Sequence, residues 1–227
     1  MNAVAVVLAA GSGERLGADR PKAFLELAGR TLLQHSVAAA AARPEVTSLV
    51  VAVPAGSEGR ATQLLAGVGK PAIVVGGGPT RQASVRSALK EVRADAEVVV
   101  CHDAARPLAS ASLFAAVLAA LGDVDGVVPV LPVVDTLKRV RGDLVERTEP
   151  RGEVFLAQTP QACRLGAFLD AHSRAAEAGH EATDDAALLE WAGYRVRAIP
   201  GERVNFKITM LEDLVRAESV LARVGRG

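Results

Sequence analysis

The chain is poor in aromatic residues and in cysteine. Aromatic residues make up 3% of the 227 positions while half are apolar, so we predict a core of small and aliphatic side chains. The two cysteines, Cys101 and Cys163, are far apart in sequence and form no metal-ligand pattern. We therefore expect reduced, buried thiols in a cytoplasmic protein, and neither a disulfide framework nor a cysteine-based metal site.

The sequence also lacks an excess of either charge and a long apolar run. It carries 26 basic and 26 acidic residues, so no overall field attracts nucleic acid or an anionic membrane, and any anion site must be local. No apolar run approaches the length of a membrane span. The apolar N-terminus lacks a basic segment and leads directly into a glycine-rich loop, which predicts a buried strand and not a signal peptide. Nucleic acid and membranes are not expected as partners.

Apolar strand-like runs alternate with helical patterns along the chain. This order predicts an α/β fold with a doubly wound, mostly parallel sheet and helices on both faces, in one domain over residues 1–227. Strands are predicted at 3–9, 49–53, 72–75, 97–101, 126–130, 154–157 and 195–199. Helices are predicted after Thr31 and Ser110 as caps, and at about 58–66, 80–92, 165–178, 184–192 and 211–223.

Residues 133–150 depart from this alternation. Two amphipathic runs flank Arg141-Gly142-Asp143, a pattern typical of a β-hairpin. A lone hairpin is marginally stable in water, so we expect a protruding arm that packs on a second subunit. A hairpin folded back on its own domain is nearly as well supported by the sequence.

The first strand runs into a loop that is glycine-rich at its start and cationic further on. Residues 11–13 are small enough for backbone N–H groups to approach phosphate oxygens, and Arg15 and Lys22 add positive charge. No Gly-Lys pair of a P-loop follows, and Leu16 occupies the last glycine position of a dinucleotide fingerprint. A tight turn would explain the glycines but not the two cations, so the segment favours a triphosphate site.

The loops after strands one, three and four are the ones rich in glycine, aspartate and arginine. Ligands of such sheets lie beyond the carboxyl ends of the strands, so these loops converge on one edge. Asp103 ends the fourth strand there and is a candidate Mg²⁺ ligand or water anchor. A carboxylate that caps the next turn or pairs with Arg106 is equally well supported.

Three acidic motifs invite a functional interpretation that the residue pattern does not favour. His102 and Asp103 are adjacent on a strand and face opposite sides, which favours a buried structural histidine over a catalytic dyad. Asp123-Val124-Asp125 precedes a strand, on the wrong side of the sheet, and suits an ordinary polar loop. Residues 183–185 are typical of a helix cap, with a functional role the less favoured alternative.

Seven short motifs of the chain occur in the same order as in one enzyme family. They are AAGSGERLG with Pro21-Lys22, GGG followed by Arg81 and Ser84, HDAARP, DTLKR, Arg151 with QTPQ, TDDA and NFKIT. Together they resemble the 2-C-methyl-D-erythritol 4-phosphate cytidylyltransferases of the non-mevalonate isoprenoid pathway. The chain departs from the family pattern at Glu14, at Pro79-Thr80 and at Val154-Phe155.

The resemblance implies CTP and a sugar-alcohol phosphate as substrates, Mg²⁺ as cofactor, and a homodimer joined by the hairpin arm. It implies that Arg15 and Lys22 stabilise the transition state. The residues that would hold CTP are Ala9, Ala10, Gly11, Ser12, Gly13, Gly78, Ser84, Asp103, Ala104 and Ala105. Those that would hold the phosphate substrate are Asp103, Arg106, Thr136, Arg151, Thr159 and Lys207, with Arg151 and Thr136 reaching in from the other subunit.

The expected reaction is in-line attack of a phosphate monoester oxygen on the α-phosphorus of CTP, with pyrophosphate as leaving group. The nucleophile is already an anion, so catalysis needs charge neutralisation and alignment and no general base. Lys22 and Arg15 would offset charge on the triphosphate while Lys207 and Arg151 aim the attacking phosphate. A cytidylyltransferase for a related polyol phosphate, such as ribitol phosphate, and a non-catalytic nucleotide-sugar-binding domain are the alternatives.

Overall fold

A computed structural model of the chain describes residues 1–11 and 21–224. Its strands are β1 (Ala3–Leu8), β2 (Glu26–Leu27), β3 (Arg30–Thr31), β4 (Val46–Val53), β5 (Ala72–Gly76), β6 (Val98–Asp103), β7 (Gly126–Pro132), β8 (Leu137–Arg141), β9 (Leu144–Glu149), β10 (Phe155–Ala157), β11 (Gln161–Arg164) and β12 (Val196–Pro200). Its α-helices are α1 (Leu32–Ala41), α2 (Glu58–Leu64), α3 (Arg81–Leu89), α4 (Ala111–Ala119), α5 (Leu165–Ala178), α6 (Asp185–Trp191) and α7 (Leu211–Val224). A 3₁₀ turn covers Lys22–Phe24.

The central sheet is mixed and mostly parallel, as predicted. Its strand order is β10-β7-β11-β6-β1-β4-β5, with β12 paired to β7. Parallel pairs join β1 to β4 and β6, β4 to β5, and β7 to β12. In the two ladders of β1, Leu8 is opposite both Ala52 and Asp103, so the three central strands end together. The loops that follow them therefore meet at one edge of the sheet.

Strand β11 was not predicted from the sequence. It lies antiparallel between β6 and β7, in the stretch between the predicted strand at 154–157 and the predicted helix at 165–178. Only four residues long, it begins at the polar Gln161, so it has neither the length nor the apolar alternation of a typical strand signal. The buried Gln161 amide is satisfied from outside the strand, since it donates to Asp184 and accepts from the Ala186 N–H.

The core forms on both faces of the sheet. Alternate residues of β1 point in opposite directions: Ala5 and Val7 pack with α1 and α4, while Val4 and Val6 pack with α3 and α5. This double burial explains why the strand is a continuous apolar run and does not alternate with polar residues. Cys101 and Cys163 are free thiols buried in the second of these layers, as predicted.

Helix starts follow local capping chemistry. Thr31 forms a capping box with Gln34, and Ser110 accepts a hydrogen bond from the Leu113 N–H. Asp184 accepts from the Ala187 N–H and so caps α6. These caps confirm three of the predicted helix boundaries.

Strands β8 and β9 form a separate antiparallel pair around Gly142. They pair with each other and make no ladder with the central sheet in the described part of the chain. The apolar side chains of Val140, Leu144 and Val145 are exposed on them. Whether this hairpin is an arm between subunits stays a prediction.

Candidate active site

A cavity of about 620 Å³ opens at the edge where the central strands end. Its volume is in the range of small-molecule sites. Ten of the predicted site residues line it: Ala9, Ala10, Gly11, Lys22, Gly78, Ser84, Asp103, Ala104, Ala105 and Lys207. Ser12, Gly13 and Arg15 lie outside the described residues. Loops from distant parts of the chain thus form one site.

Backbone hydrogen bonds continue the sheet beyond its strands and fix these loops. The Ala9 N–H donates to the Ala52 carbonyl at 2.7 Å, and the Ala104 N–H donates to the Leu8 carbonyl at 2.9 Å. The Gly77 N–H donates to Val53 at 2.7 Å. The cavity rim is therefore an extension of a rigid sheet.

Two glycines of the rim are required by packing, and a third is not. A Cβ at Gly77 would lie 2.3 Å from the Ala10 Cβ, and one at Gly78 would lie 2.5 Å from the Ala83 Cβ. A Cβ at Gly11 would meet nothing within 4 Å among the described residues. Packing against the described residues therefore does not account for Gly11, which lines the cavity, as expected of a glycine that admits a ligand close to the backbone.

Ser84 holds the loop that follows β5 and begins with Gly77 and Gly78. Its buried hydroxyl accepts from the Gly78 N–H at 3.1 Å and donates to the Thr80 carbonyl at 2.9 Å. Thr80 also caps α3, where the Ala83 N–H donates to its hydroxyl at 3.1 Å. Ser84 is therefore a buried part of the cavity lining, and the Pro79-Thr80 departure leaves a properly capped helix.

The cavity floor is an ion-paired cluster around Asp103. One carboxylate oxygen accepts from Lys207 Nζ at 2.7 Å, and the other accepts from Arg81 Nε at 3.1 Å. Burial favours the neutral acid, but the charges of Arg81 and Lys207 outweigh it and hold the pKa of Asp103 well below its usual range. The carboxylate is thus an anion that orients two cations. The predicted alternative pairing with Arg106 is wrong, since the Arg106 guanidinium donates to the Asn205 and Ala157 carbonyls.

Lys207 is held on an irregular segment that packs against the sheet edge. The Ile208 N–H donates to the Ala105 carbonyl at 2.8 Å, and the buried Asn205 donates to the Thr159 carbonyl at 2.9 Å. Both bonds flank Lys207 and fix its backbone beside Asp103. The side chain of Lys207 is 43% exposed, so the ammonium remains accessible from the cavity.

Thr159 lies behind the cavity and does not line it. Its buried hydroxyl accepts from the Asp103 N–H at 3.0 Å and contacts His102 Nδ1 at 3.0 Å. His102 Nε2 lies 3.2 Å from the Arg106 carbonyl, which assigns the proton to Nε2 and makes Nδ1 the acceptor. Burial lowers the pKa of His102 to about 4, consistent with the predicted structural histidine.

Arg106, Thr136 and Arg151 are not among the residues that line the cavity. Thr136 and Arg151 are exposed near the hairpin, where the Arg151 guanidinium donates to the Val134 carbonyl. A single chain therefore does not bring these two residues to the other candidates. Their arrival from a second subunit remains a prediction.

Sequence reasoning missed an ion pair between Arg81, which lines the cavity, and the buried Asp185. Arg81 donates two hydrogen bonds to Asp185, at 2.9 and 2.6 Å, while its Nε contacts Asp103. Burial alone would lower the pKa of Arg81, but the two aspartates raise it well above its usual value. The TDDA motif was the available signal, but the pattern does not reveal that its second aspartate turns inward.

Comparison with known proteins places this geometry in a family. The model of the IspD family, 2-C-methyl-D-erythritol 4-phosphate cytidylyltransferase, matches residues 3–223. The chain belongs to this family. A cytidylyltransferase of that name from Deinococcus radiodurans is 44% identical over 223 residues, which are 98% of this chain and 91% of the relative.

Solved structures agree with this membership. The crystal structure of 2-C-methyl-D-erythritol 4-phosphate cytidylyltransferase from Thermus thermophilus has a TM-score of 0.82 and 39% identity, covering 98% of this chain and all of that one. The structure of 4-diphosphocytidyl-2C-methyl-D-erythritol synthase from Anaerococcus prevotii has a TM-score of 0.86 and 28% identity, covering 97% and 98%. The chain is a nucleotidyltransferase, and the non-catalytic alternative falls away.

The donor set of this cytidylyltransferase suits a metal ion that arrives with its substrate. The described residues contain no group of three or more His, Cys, Asp or Glu side chains able to hold a metal. Among the described residues that line the cavity, Asp103 is the one with a carboxylate. Mg²⁺ commonly takes one or two carboxylates together with substrate phosphates and water, so Asp103 fits this mode.

No helix among residues 1–11 and 21–224 is both long and apolar enough to cross a membrane.

Proposed function

We propose that the chain transfers CMP from CTP to 2-C-methyl-D-erythritol 4-phosphate, releasing pyrophosphate and forming 4-diphosphocytidyl-2-C-methyl-D-erythritol. The observation that carries the proposal is the convergence of Lys22, Asp103 and Lys207 on one cavity at the carboxyl edge of the sheet. Such a site supplies cations and backbone donors for two phosphorylated ligands. Family membership supplies the base and the polyol.

Lys207 aims the attacking phosphate. An ammonium has three protons, and Asp103 accepts one of them at 2.7 Å, which leaves two for phosphate oxygens. Because Asp103 is itself fixed by Arg81 and by Thr159, the free N–H directions of Lys207 are fixed as well. The monoester oxygen that attacks the α-phosphorus is already ionised, so alignment replaces general-base catalysis.

Lys22 and Arg15 stabilise the charge that develops on the triphosphate as the bond to pyrophosphate breaks. Lys22 follows the loop after β1 in sequence and lines the same cavity as residues 8–11. A compact ammonium reaches a crowded phosphate as a point charge, which suits this position in a chain that otherwise uses arginine. Residues 9–11, 78 and 104–105 form the nucleotide side of the cavity. The N–H groups of Ala9, Gly78 and Ala104 already donate within the protein, so those of Ala10, Gly11 and Ala105 are the proposed donors to phosphate oxygens.

The metal that would accompany CTP in this scheme is Mg²⁺. Asp103 would hold it directly or through a water molecule, and the ion would neutralise phosphate charge when bound. Asp103 keeps acceptor capacity for this because each carboxylate oxygen has a second lone pair beyond its bond to Arg81 or Lys207.

The working enzyme is a homodimer of the cytoplasm in this proposal. The hairpin at 133–150 exposes Val140, Leu144 and Val145, an apolar surface that a second subunit would cover. Docking there would carry Thr136 and Arg151 toward the partner's cavity. Buried reduced thiols agree with a reducing compartment.

Pyrophosphate release tests the proposal across four nucleoside triphosphates and several polyol and sugar phosphates. We expect release only with CTP and methylerythritol phosphate, and a loss of about 10²–10³ in rate for Lys22→Ala. Lys90→Ala, which removes an exposed lysine away from the cavity, is the matched control and should keep full activity. Preference for ribitol phosphate would shift the proposal to the related polyol, and a silent wild type would reject it.

A further inference from the structure

The carboxylate of Asp185 is buried at the start of α6, and both of its oxygens accept hydrogen bonds from one arginine. Its oxygens accept from both terminal nitrogens of Arg81 at 2.9 and 2.6 Å, and it is 3% exposed. Paired N–H···O bonds of this kind fix the plane of a guanidinium as well as its position. Removing one partner of such a buried pair leaves an uncompensated charge.

The pair continues into the active site. Arg81 also donates its Nε–H to one carboxylate oxygen of Asp103, and Asp103 accepts from Lys207 with its other oxygen. Four alternating charges therefore run from α6, through α3 and the end of β6, to the segment that carries Lys207. Asp185 is the end of this chain that does not line the cavity.

Helix capping does not account for Asp185. The preceding residue, Asp184, already caps α6 by accepting from the Ala187 N–H at 2.8 Å, and it also accepts from Gln161 at 2.9 Å. A cap needs one carboxylate, and Asp185 lies inside the first turn with its side chain directed at α3. Its contact is with an arginine 104 positions away in sequence.

We propose that Asp185 is a positioning residue for nucleotidyl transfer, which acts by holding the Arg81 guanidinium flat against Asp103 so that Asp103 in turn orients Lys207. The inference deepens the proposed function and rests on it. Asp185 also compensates the charge of Arg81, which lines the cavity too, so that Lys207 is the more exposed cation of the two toward the phosphate. Without Asp185, Arg81 can leave Asp103 and turn toward the bound anions.

The primary variant is Asp185→Asn, which keeps the shape of the side chain and removes its charge. We expect kcat to fall about tenfold and the KM for methylerythritol phosphate to rise, because both depend on Lys207. The KM for CTP should change less than twofold. Asp184→Asn is the matched control: it removes a charge at the same helix start but does not touch Arg81, and should keep wild-type kinetics.

A double-mutant cycle with Arg81→Lys separates positioning from general damage. Lysine keeps the charge but cannot contact both aspartates at once, and each variant is first checked by thermal unfolding so that rates refer to folded protein. If Asp185 acts through Arg81, the double variant should be no slower than Arg81→Lys alone.

Two outcomes would overturn the inference. Multiplicative losses in the double variant would mean that Asp185 acts independently of Arg81, and equal losses in Asp184→Asn and Asp185→Asn would mean that only the helix start matters. A wild type with no pyrophosphate release would instead reject the proposed function, so the two failures are distinguishable.

Discussion

Two buried histidines should make this fold lose stability in mild acid. Burial lowers the pKa of His102 and of His172 from 6.5 to about 4. Between these two pKa values the unfolded chain therefore binds more protons than the folded chain. The stability that comes from keeping these histidines neutral is fully present above pH 6.5 and is lost as the pH falls toward 4. The full pKa shift of each histidine corresponds to roughly 3 kcal/mol of unfolding free energy, at about 1.36 kcal/mol per pKa unit.

The size of the effect at a usable pH follows from the same values. Between pH 7.5 and pH 5, each histidine should cost about 2 kcal/mol of unfolding free energy, and the two together about 4 kcal/mol. His172 offers the cleaner perturbation because neither of its ring nitrogens has a hydrogen-bond partner among the described residues. It packs edge-on against Phe168 at 4.5 Å between ring centroids.

His172→Leu should therefore remove about half of the acid sensitivity. Its unfolding free energy at pH 7.5 should stay within about 1 kcal/mol of wild type, since an apolar side chain of similar size replaces an imidazole without a hydrogen bond to any described residue. Urea unfolding followed by circular dichroism at pH 7.5, 6 and 5 measures the difference. An unchanged pH dependence in the variant would refute the reasoning.

Other predictions follow from the rim, the hairpin and the metal. Gly77→Ala should lower unfolding free energy by about 1–3 kcal/mol in a thermal melt because its Cβ has no room, whereas Gly11→Ala should leave the melt unchanged and weaken CTP binding by calorimetry. A lower melting temperature for Gly11→Ala than for Gly77→Ala would contradict this. Leu144→Asp with Val145→Asp should convert a dimer to monomers in sedimentation experiments; a wild-type monomer would remove the basis for an arm. Chelation of Mg²⁺ should abolish pyrophosphate release without shifting the melting temperature, and a shifted melt would indicate a structural metal.

The alternation of strands and helices made the sheet predictable, because local periodicity and capping decide those elements. Thr31, Ser110 and Asp184 cap helices through contacts within three residues, which the sequence displays directly. Strand β11 escaped prediction because its pairing partners, and the groups that satisfy Gln161, come from elsewhere in the chain.

The parts of the site that follow the ends of the sheet strands were predictable from the sequence. The side-chain pairs between residues far apart in sequence were not. Loops that follow parallel strands meet at one edge of the sheet. Asp103 and the glycine-rich loops after β1 and β5 were therefore found from the order of strands and helices alone. The bond from Arg81 to Asp185 spans 104 positions, and no local rule connects them. Thr159 was expected at the phosphate substrate, but its hydroxyl is engaged behind Asp103.

The central claim is that oriented cations, and no general base, carry out the transfer. Single-turnover nucleotidyl transfer at saturating CTP and acceptor tests this directly in Lys207→Ala beside the Lys90→Ala control. The account predicts a rate about 10²–10³ lower for Lys207→Ala, with the protein folded and the control unchanged. A Lys207→Ala rate within a fewfold of wild type would contradict it.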